Sequence, residues 1–460
     1  MPKTSPASSF LVVGAGISGL YAALLLARAG RRVRIIERSS RAGGLAAAEF
    51  FRGIPCDIGS HRLHRAALEL PLFREIHAKN PFLLRPRRGV LLFGGHRLAY
   101  PPNALEMLSA LGPSASLSLG VGLLSTGRRG RAFARWEHDR VSQTEDRDVG
   151  FERFVIDRVG EPAYRAFYRP YAEKVWGIDP AELSQSVAKK RLSTTRPWAL
   201  LQNAFGRMLT KIDAFAEQPE DLDHFLYPAK GVSSMIQYLE KELTSSGVSV
   251  EMSRPFCIED AQDNTVFFAG DLKDIVETGL EHRGAYLIYL ALPLERAGPH
   301  ETYYSPDPRY WFGRVSELKH YSPELSNPSE TILCVEIPEG GWGRGVDFAS
   351  GDRFQTLLSQ LCHAGIIRPG THPTEWRQCF VPQVYPLYRR GFRASWRDSM
   401  RRVIALGSMV PFGRQALFLH CNLDHCVQIA EAAVQHVLAG QSARGWVDRA
   451  ERYLELRVRD

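Results

Sequence analysis

The sequence predicts an α/β protein whose N-terminus forms a Rossmann-like unit, and three observations predict it. Phe10-Leu11-Val12-Val13 is a short apolar, β-branched run of the kind buried in a parallel strand. It leads at once into Gly14-Ala15-Gly16-Ile17-Ser18-Gly19, the spacing of a tight turn that opens a helix. An Ala/Leu-rich segment, Leu20 to Ala29, then stops at Gly30, and a second strand run, Arg32 to Glu37, ends on an acid.

Each part of this unit has a physical task. Gly14 permits the tight turn, Gly16 lets the backbone approach a pyrophosphate, and Gly19 lets helix and strand pack closely. Ser18 lies in the glycine turn and is a cofactor-binding candidate, just before the helix N-terminus whose backbone amides and positive dipole end face an anion. Glu37 stands twenty-one positions past Gly16, where a carboxylate accepts from ribose hydroxyls. Together they predict an adenine-dinucleotide site.

Directly after the acid come Arg38-Ser39-Ser40-Arg41-Ala42-Gly43-Gly44-Leu45. Gly43 and Gly44 allow close backbone approach, and Arg41 can bridge a phosphate. The stretch resembles the RxGGL signature of the amine-oxidase and protoporphyrinogen-oxidase-like flavoproteins. That resemblance implies FAD as cofactor, held in a FAD-binding domain of the glutathione-reductase type.

Further segments resemble one branch of that superfamily, the UDP-galactopyranose mutases and their oxidoreductase relatives. Asp57-Ile58-Gly59-Ser60-His61-Arg62-Leu63-His64 is similar to a segment lying against the flavin ring there. The likeness makes Gly59 and Ser60 cofactor contacts and His61 and His64 candidates for contact with isoalloxazine or substrate. Tyr171 to Pro180, with Glu182-Leu183-Ser184, is similar to a stretch of a helical insertion that roofs the active site, which implies a substrate role for Trp176. Gly313 to Tyr321 resembles a segment whose arginine faces flavin and substrate; Arg314 takes that position, or is a strand arginine in a surface ion pair. Near the end, Gly413-Arg414 precedes Asn422-Leu423-Asp424-His425 and an Ala/Val-rich helix from Val427 to Ala439, which looks like the family's C-terminal flavin motif. An Asp424 carboxylate at a helix start can accept from ribityl hydroxyls, or serve as a plain cap. The likeness also implies that the backbone of Phe256 pairs with adenine.

The implied chain is discontinuous. Residues 1–66, 220–290 and 400–440 are expected to fold together around FAD, and 67–219 to form a mainly helical insertion over the substrate. Residues 291–399 are expected to form an antiparallel-sheet substrate domain, a mixed sheet with the rest, and 441–460 a C-terminal helix.

Composition sets the remaining bounds. With 460 residues and 44% hydrophobic content the chain can bury a large core across more than one domain. The net charge is +8, but arginines alternate with acids along the chain, so no nucleic-acid partner is expected. The densest basic run, Arg128, Arg129, Arg131 and Arg135, is a solvated loop or a contact to phosphate or a membrane surface. The softest apolar stretch, Met107 to Leu124, is broken by Gly112, Pro113, Gly120 and Gly122, which argues against a transmembrane span and leaves room for peripheral membrane contact. Seven scattered cysteines without CxxC spacing indicate neither a disulfide framework nor a metal site, and with no secretory signal they suggest a cytoplasmic protein.

The chemistry follows from the cofactor, since flavin carries the hard step and the protein binds, orients and tunes it. No GxSxG, HExxH or Walker sequence occurs, which excludes the corresponding hydrolase, zincin and NTPase readings. The expected function is oxidation of a small organic molecule, glycosylated or of secondary-metabolite type, by hydride abstraction. One alternative is a redox-neutral nucleotide-sugar mutase, and another is a flavin-binding protein without turnover. The mutases hold their diphosphate substrate with tyrosines, and at two of those positions this chain has Phe418 and His420. A second mutase arginine falls at Arg191 or Arg196. The missing phenols favour oxidation over mutation.

Overall fold

The computed structural model describes residues 9–100, 106, 109–110, 148–191, 224–262, 264–325 and 327–458. The Arg128–Arg135 run, Arg196 and most of the Met107–Leu124 stretch lie outside the described residues.

The chain opens as β1 Ser9–Val13, α1 Ile17–Arg28 and β2 Val33–Ile36, followed by the hairpin β3 Ala48–Phe51 and β4 Ile54–Asp57. Next come α2 Pro71–Lys79 and the strands β5 Phe82–Pro86, β6 Val90–Phe93 and β7 His96–Ala99. Helices α3 Phe151–Val159, α4 Arg169–Trp176 and α5 Gln185–Arg191 follow among the described residues. Then come β8 His224–Pro228, α6 Ser233–Ser245, β9 Ser249–Glu251, β10 Asn264–Phe268 and β11 Glu281–Leu292. The second half adds β12 Thr302–Tyr304, β13 Arg314–Glu317, β14 Thr331–Pro338, α7 Gly351–His363 and β15 Glu375–Leu387. Last are α8 Phe392–Ala405, β16 Met409–Pro411, α9 Leu423–Leu438 and α10 Ala443–Ala450.

One sheet is five-stranded and wholly parallel, in the order β16-β10-β1-β2-β9. Its middle strand β1 is buried on both faces, as its apolar run requires. Helix α1 packs against α6 and α9, which explains its burial on nearly every side. It starts three residues earlier than its Ala/Leu pattern suggests, because the glycine turn already takes helical form at Ile17.

The other large sheet is seven-stranded, in the order β15-β11-β14-β13-β12-β6-β7. Its pairings are antiparallel except β12 with β6. Strand β11 links the two halves of the core through simple alternation. Leu287, Tyr289 and Ala291 face the core shared with the parallel sheet, while Tyr286, Ile288, Leu290 and Leu292 face the core that includes α7 residues. A bulge at Gly284 bends the strand where an added Cβ would come within 2.6 Å of the Val381 carbonyl.

Among its described residues, the region expected to be mainly helical carries β5, β6 and β7 besides its helices. β6 and β7 extend the seven-stranded sheet and β5 pairs with β8, because Val90-Leu91-Leu92-Phe93 is apolar on both faces and needs a buried slot. In the C-terminal segment the helix spans Ala443–Ala450, capped by the Ser442 hydroxyl, and then tightens into a 3-10 turn. Among the described residues no helix is long and apolar enough to cross a membrane, and no cluster of His, Cys, Asp and Glu is arranged to hold a metal.

Candidate functional site

The glycine turn and the Gly43-Gly44 loop fold onto each other at the carboxyl end of the parallel sheet. The Gly43 amide donates to the Ala15 carbonyl at 2.8 Å, and Gly16 and Gly43 form a bridge. Gly19 is obligatory for packing, since a Cβ there would lie 1.9 Å from the Gly14 carbonyl oxygen. Gly14 and Gly43 need positive φ, at 98° and 114°. Helix α1 begins at Gly16 with no side-chain cap and no acid in its first turn, so its amides and dipole remain available to an anion. Glu37 is fixed by hydrogen bonds from the Ala15 and Ser39 amides at 2.7 and 2.8 Å. The segment after β9 runs beside it through the bond from the Arg254 amide to the Glu37 carbonyl, which carries Phe256 to the same sheet end, edge-on to Phe268.

The two arginines of this loop are spent on the protein itself. Arg38 pairs with Asp274 at 3.1 Å. Arg41, expected to bridge a phosphate, instead donates to the Ala48 carbonyl at 3.0 Å and pairs with Glu49. Its guanidinium therefore braces β3.

Beyond β4 the chain passes through Gly59, Ser60 and His61 against the seven-stranded sheet. The His61 Nε2–H donates to the Leu45 carbonyl at 2.9 Å, tying this segment to the Gly-Gly loop. Burial, aided by the charges of Arg314 and Arg414, lowers the His61 pKa to about 4 and keeps the ring neutral. Ser60 Oγ meets the Tyr321 hydroxyl at 2.9 Å, which meets Thr302 Oγ1 at 2.7 Å. Arg62 donates to Thr302 Oγ1 and the Tyr304 hydroxyl at 2.8 and 2.9 Å, with Glu301 at 3.8 Å and the Phe225, Tyr304 and Tyr321 rings around it. His64 lies at the start of the 3-10 turn Arg65–Glu69.

Arg314, the first residue of β13, points at this segment. A Cβ on Gly59, which has φ of 95°, would lie 3.3 Å from Arg314 Nη2. The guanidinium pairs with Glu336 on β14, and Glu336 also accepts from the Tyr385 hydroxyl on β15. Burial opposes the charge of Arg314, but Glu336 and the phenols of Tyr385, Tyr304 and Tyr321 outweigh it and raise its pKa. Arg314 is thus partly buried in an ion pair rather than in a surface one, with 22% of its side chain exposed and 6% of that of Glu336. Glu336 and Tyr385 escape sequence reading: they belong to separate strands and lie in no motif.

The roofing segment holds this corner in place. Lys174 Nζ donates to the carbonyls of Ser305 and Phe312 at 2.9 and 3.2 Å and to that of Asp307, the loop that delivers Arg314. Gly177 closes α4 against Gly340, where a Cβ would lie 2.2 Å from backbone. Trp176, expected at the substrate, is buried in the core edge-on to Tyr171, because α4 turns that face inward.

The C-terminal motif meets α1. A Cβ on Gly413 would lie 3.0 Å from Ser18, and Arg414 reaches back to the carbonyls of Cys421 and Val384. Phe418, expected to face substrate, is 1% exposed and packs on His282, Tyr388 and Phe392. Its φ of 53° turns the side chain into the core, a conformation unusual for a non-glycine residue. His420 is half-buried, its ring 6.0 Å from that of Tyr385, so it does border the Arg314 corner. The helix start also differs from expectation. α9 begins at Leu423 with Asn422 as N-cap in a capping box with His425, whose Nδ1 accepts from the Asn422 amide at 3.2 Å. Asp424 is therefore a first-turn acid, 4.0 Å from the His425 ring, and not the cap.

The features of this corner are of the kind a dinucleotide needs: a glycine turn at an uncapped helix start, a carboxylate on Glu37 held by two backbone amides, and the Gly59–His61 segment tied to the Gly-Gly loop with Arg314 beside it.

A family model described as flavin containing amine oxidoreductase matches residues 17–271. Over 343 residues the chain is 24% identical to a probable UDP-galactopyranose mutase of Klebsiella pneumoniae, covering 71% of this chain and 77% of that protein. It shares 23% identity over 188 residues with the mitochondrial protoporphyrinogen oxidase of Nicotiana tabacum, 40% of this chain and 35% of that one. Its fold is similar to a crystal structure of reduced UDP-galactopyranose mutase, with a TM-score of 0.77 at 17% identity over 98% of this chain and 99% of that chain.

Proposed function

The chain belongs to the flavin-containing amine oxidoreductase family, and from that premise we propose that it oxidises a small, weakly charged organic molecule, glycosylated or of secondary-metabolite type. It is an FAD-dependent oxidoreductase. When bound, FAD would supply the hydride acceptor for such an oxidation. Gly14, Gly16, Gly19, Ser18, Glu37, Gly43, Gly44 and Leu45 hold the dinucleotide, with Phe256, Gly413, Leu423, Asp424 and His425 at its flanks. His61 stays neutral and holds the Gly59–Ser60 backbone against the Gly-Gly loop. Arg314, oriented by Glu336 and Tyr385, presents a fixed donor to a substrate oxygen or nitrogen, with His420 beside it. Segments 1–66, 220–290 and 400–440 make the cofactor side of this arrangement. Seven free cysteines support a reducing, cytoplasmic setting.

The observation that carries this reading is the pairing of Arg314 with Glu336. A sugar-nucleotide diphosphate needs cations with charge to spare, yet Arg314 and Arg62 both have carboxylate neighbours, Glu336 and Glu301. A nucleotide-sugar mutase is the second reading, and the full-length likeness to the mutase fold supports it. Anaerobic titration of the flavin-loaded protein with amines, alcohols and glycosides distinguishes them. Bleaching of the flavin absorbance by one donor, restored by air, is expected. Interconversion of a sugar nucleotide's ring forms by dithionite-reduced protein, without net oxidant consumption, would sink the oxidase reading, and flavin that no donor reduces would favour a protein without turnover.

A further inference from the structure

The start of α9 holds a cysteine pair that neither cofactor binding nor substrate chemistry requires. Cys421 and Cys426 are 2% and 5% exposed, and their sulfurs lie 3.7 Å apart. With Asn422 as N-cap they occupy the residue before the cap and the fourth residue of the helix, where two apolar side chains ordinarily close a hydrophobic staple over a capping box. Two thiols fill those places here. The surroundings are polar on the Cys421 side: Arg414 donates to its carbonyl, and the buried Lys190 lies nearby. On the other side the Ser18 hydroxyl donates to the Cys426 carbonyl at 3.3 Å, so the pair stands where the glycine turn meets α9.

We propose that Cys421 and Cys426 form a redox-active dithiol that closes to an intramolecular disulfide on exposure to hydrogen peroxide. The Cys421 sulfur attacks one peroxide oxygen, the O–O bond breaks, and the departing hydroxide takes the Cys421 thiol proton and leaves as water, giving a sulfenic acid on Cys421. The Cys426 sulfur then attacks the Cys421 sulfur, the S–O bond breaks, and the thiol proton of Cys426 goes out with the hydroxyl as water. In sum, two thiols lose two hydrogens and one peroxide is reduced to two waters. Cys421 is the first to react because the cations Arg414 and Lys190 lie on its side of the pair and favour its thiolate, and the Arg414 guanidinium donates to its carbonyl. The remaining movement is small, from van der Waals contact to a bond of about 2.05 Å. Closure fastens the turn after Phe418 to the first turn of α9.

The test uses the flavin-loaded protein treated with hydrogen peroxide, quenched with catalase, unfolded and alkylated. Trypsin releases both cysteines in a single peptide, Gln415–Arg444, which contains no other cysteine. The expected result is that this peptide alone loses two hydrogens and resists alkylation, and that dithiothreitol restores both. Cys426→Ser is expected to leave Cys421 as a sulfenic acid captured by dimedone. A doubly alkylated wild-type peptide, or sulfinic acid on Cys421 without the hydrogen loss, would overturn the proposal. A Cys426→Ser protein without the dimedone adduct would overturn the assignment of Cys421 as the sulfur first oxidised.

Discussion

Arg314 and His282 show how much a single side chain depends on partners far away in the chain. Replacing Arg314 with Ala leaves Glu336 buried without its cation, a change that costs on the order of 3–5 kcal/mol where such pairs are enclosed. The expected outcome is a lower unfolding midpoint and strongly reduced turnover with flavin still bound; unchanged steady-state kinetics would remove Arg314 from the site. His282 sits on β11 with 9% exposure, edge-on to Phe418 and with no hydrogen-bond partner at either ring nitrogen. Burial, with Arg414 and Lys273 adding to it and Asp271 opposing, lowers its pKa to about 4. Between the ordinary histidine value of 6.5 and that value the unfolded chain takes up a proton that the folded chain refuses, so acid favours unfolding by about 1.4 kcal/mol per pH unit. The buried Asp57, raised to about 7, acts in the opposite direction. Urea titrations of His282→Phe are therefore expected to show a smaller loss of stability from pH 7 to pH 5 than wild type, by about 2 kcal/mol; equal losses would contradict it. Gly14, Gly16, Gly19 and Glu37 were legible in the sequence because a turn and a spacing specify them. Glu336, Tyr385 and the inward turn of Phe418 were not, since strand pairing brings the first two together and a left-handed backbone sets the third.

At the scale of elements, α4 shows what a motif can and cannot reveal. Its resemblance to the mutase stretch implied a roof with Trp176 at the substrate, whereas the side chain that ties α4 to the loop before β13 is that of Lys174. Lys174→Met is expected to leave three carbonyls of the loop before β13 without their donor, at a cost of about 3 kcal/mol. Differential scanning calorimetry would register the loss, and an unchanged transition would show that the clamp is dispensable. The βαβ opening was legible as a unit because its periods, caps and glycines agree. Strands β6 and β7 were hidden because four apolar residues in a row fit a helix or a buried strand equally, and only the free edge at β12 decides between them. The start of α9 at Leu423 was obscured by the polar Asn422–His425 run, whose side chains cap the helix they interrupt in sequence.

For the whole molecule, the proposed function has the two sheets take the two halves of the ligand, Glu37 and α1 on the nucleotide side and β13–β15 on the other. FAD is therefore expected to raise the unfolding temperature of flavin-free protein, by about 2.7 kcal/mol of stability at a hundredfold excess over its dissociation constant. FMN, which lacks the adenylate, should give little shift; equal stabilisation by both would remove the role of Glu37 and the glycine turn. The order of the parallel sheet also has a consequence for biosynthesis. Its outermost strand, β16, ends at Pro411, and the helix that covers α1 follows later still, at Leu423–Leu438. A ribosome building this chain makes β1 and the glycine turn about 400 residues before β16, so the nascent protein cannot complete this sheet, or retain its flavin, until that long stretch has been synthesised.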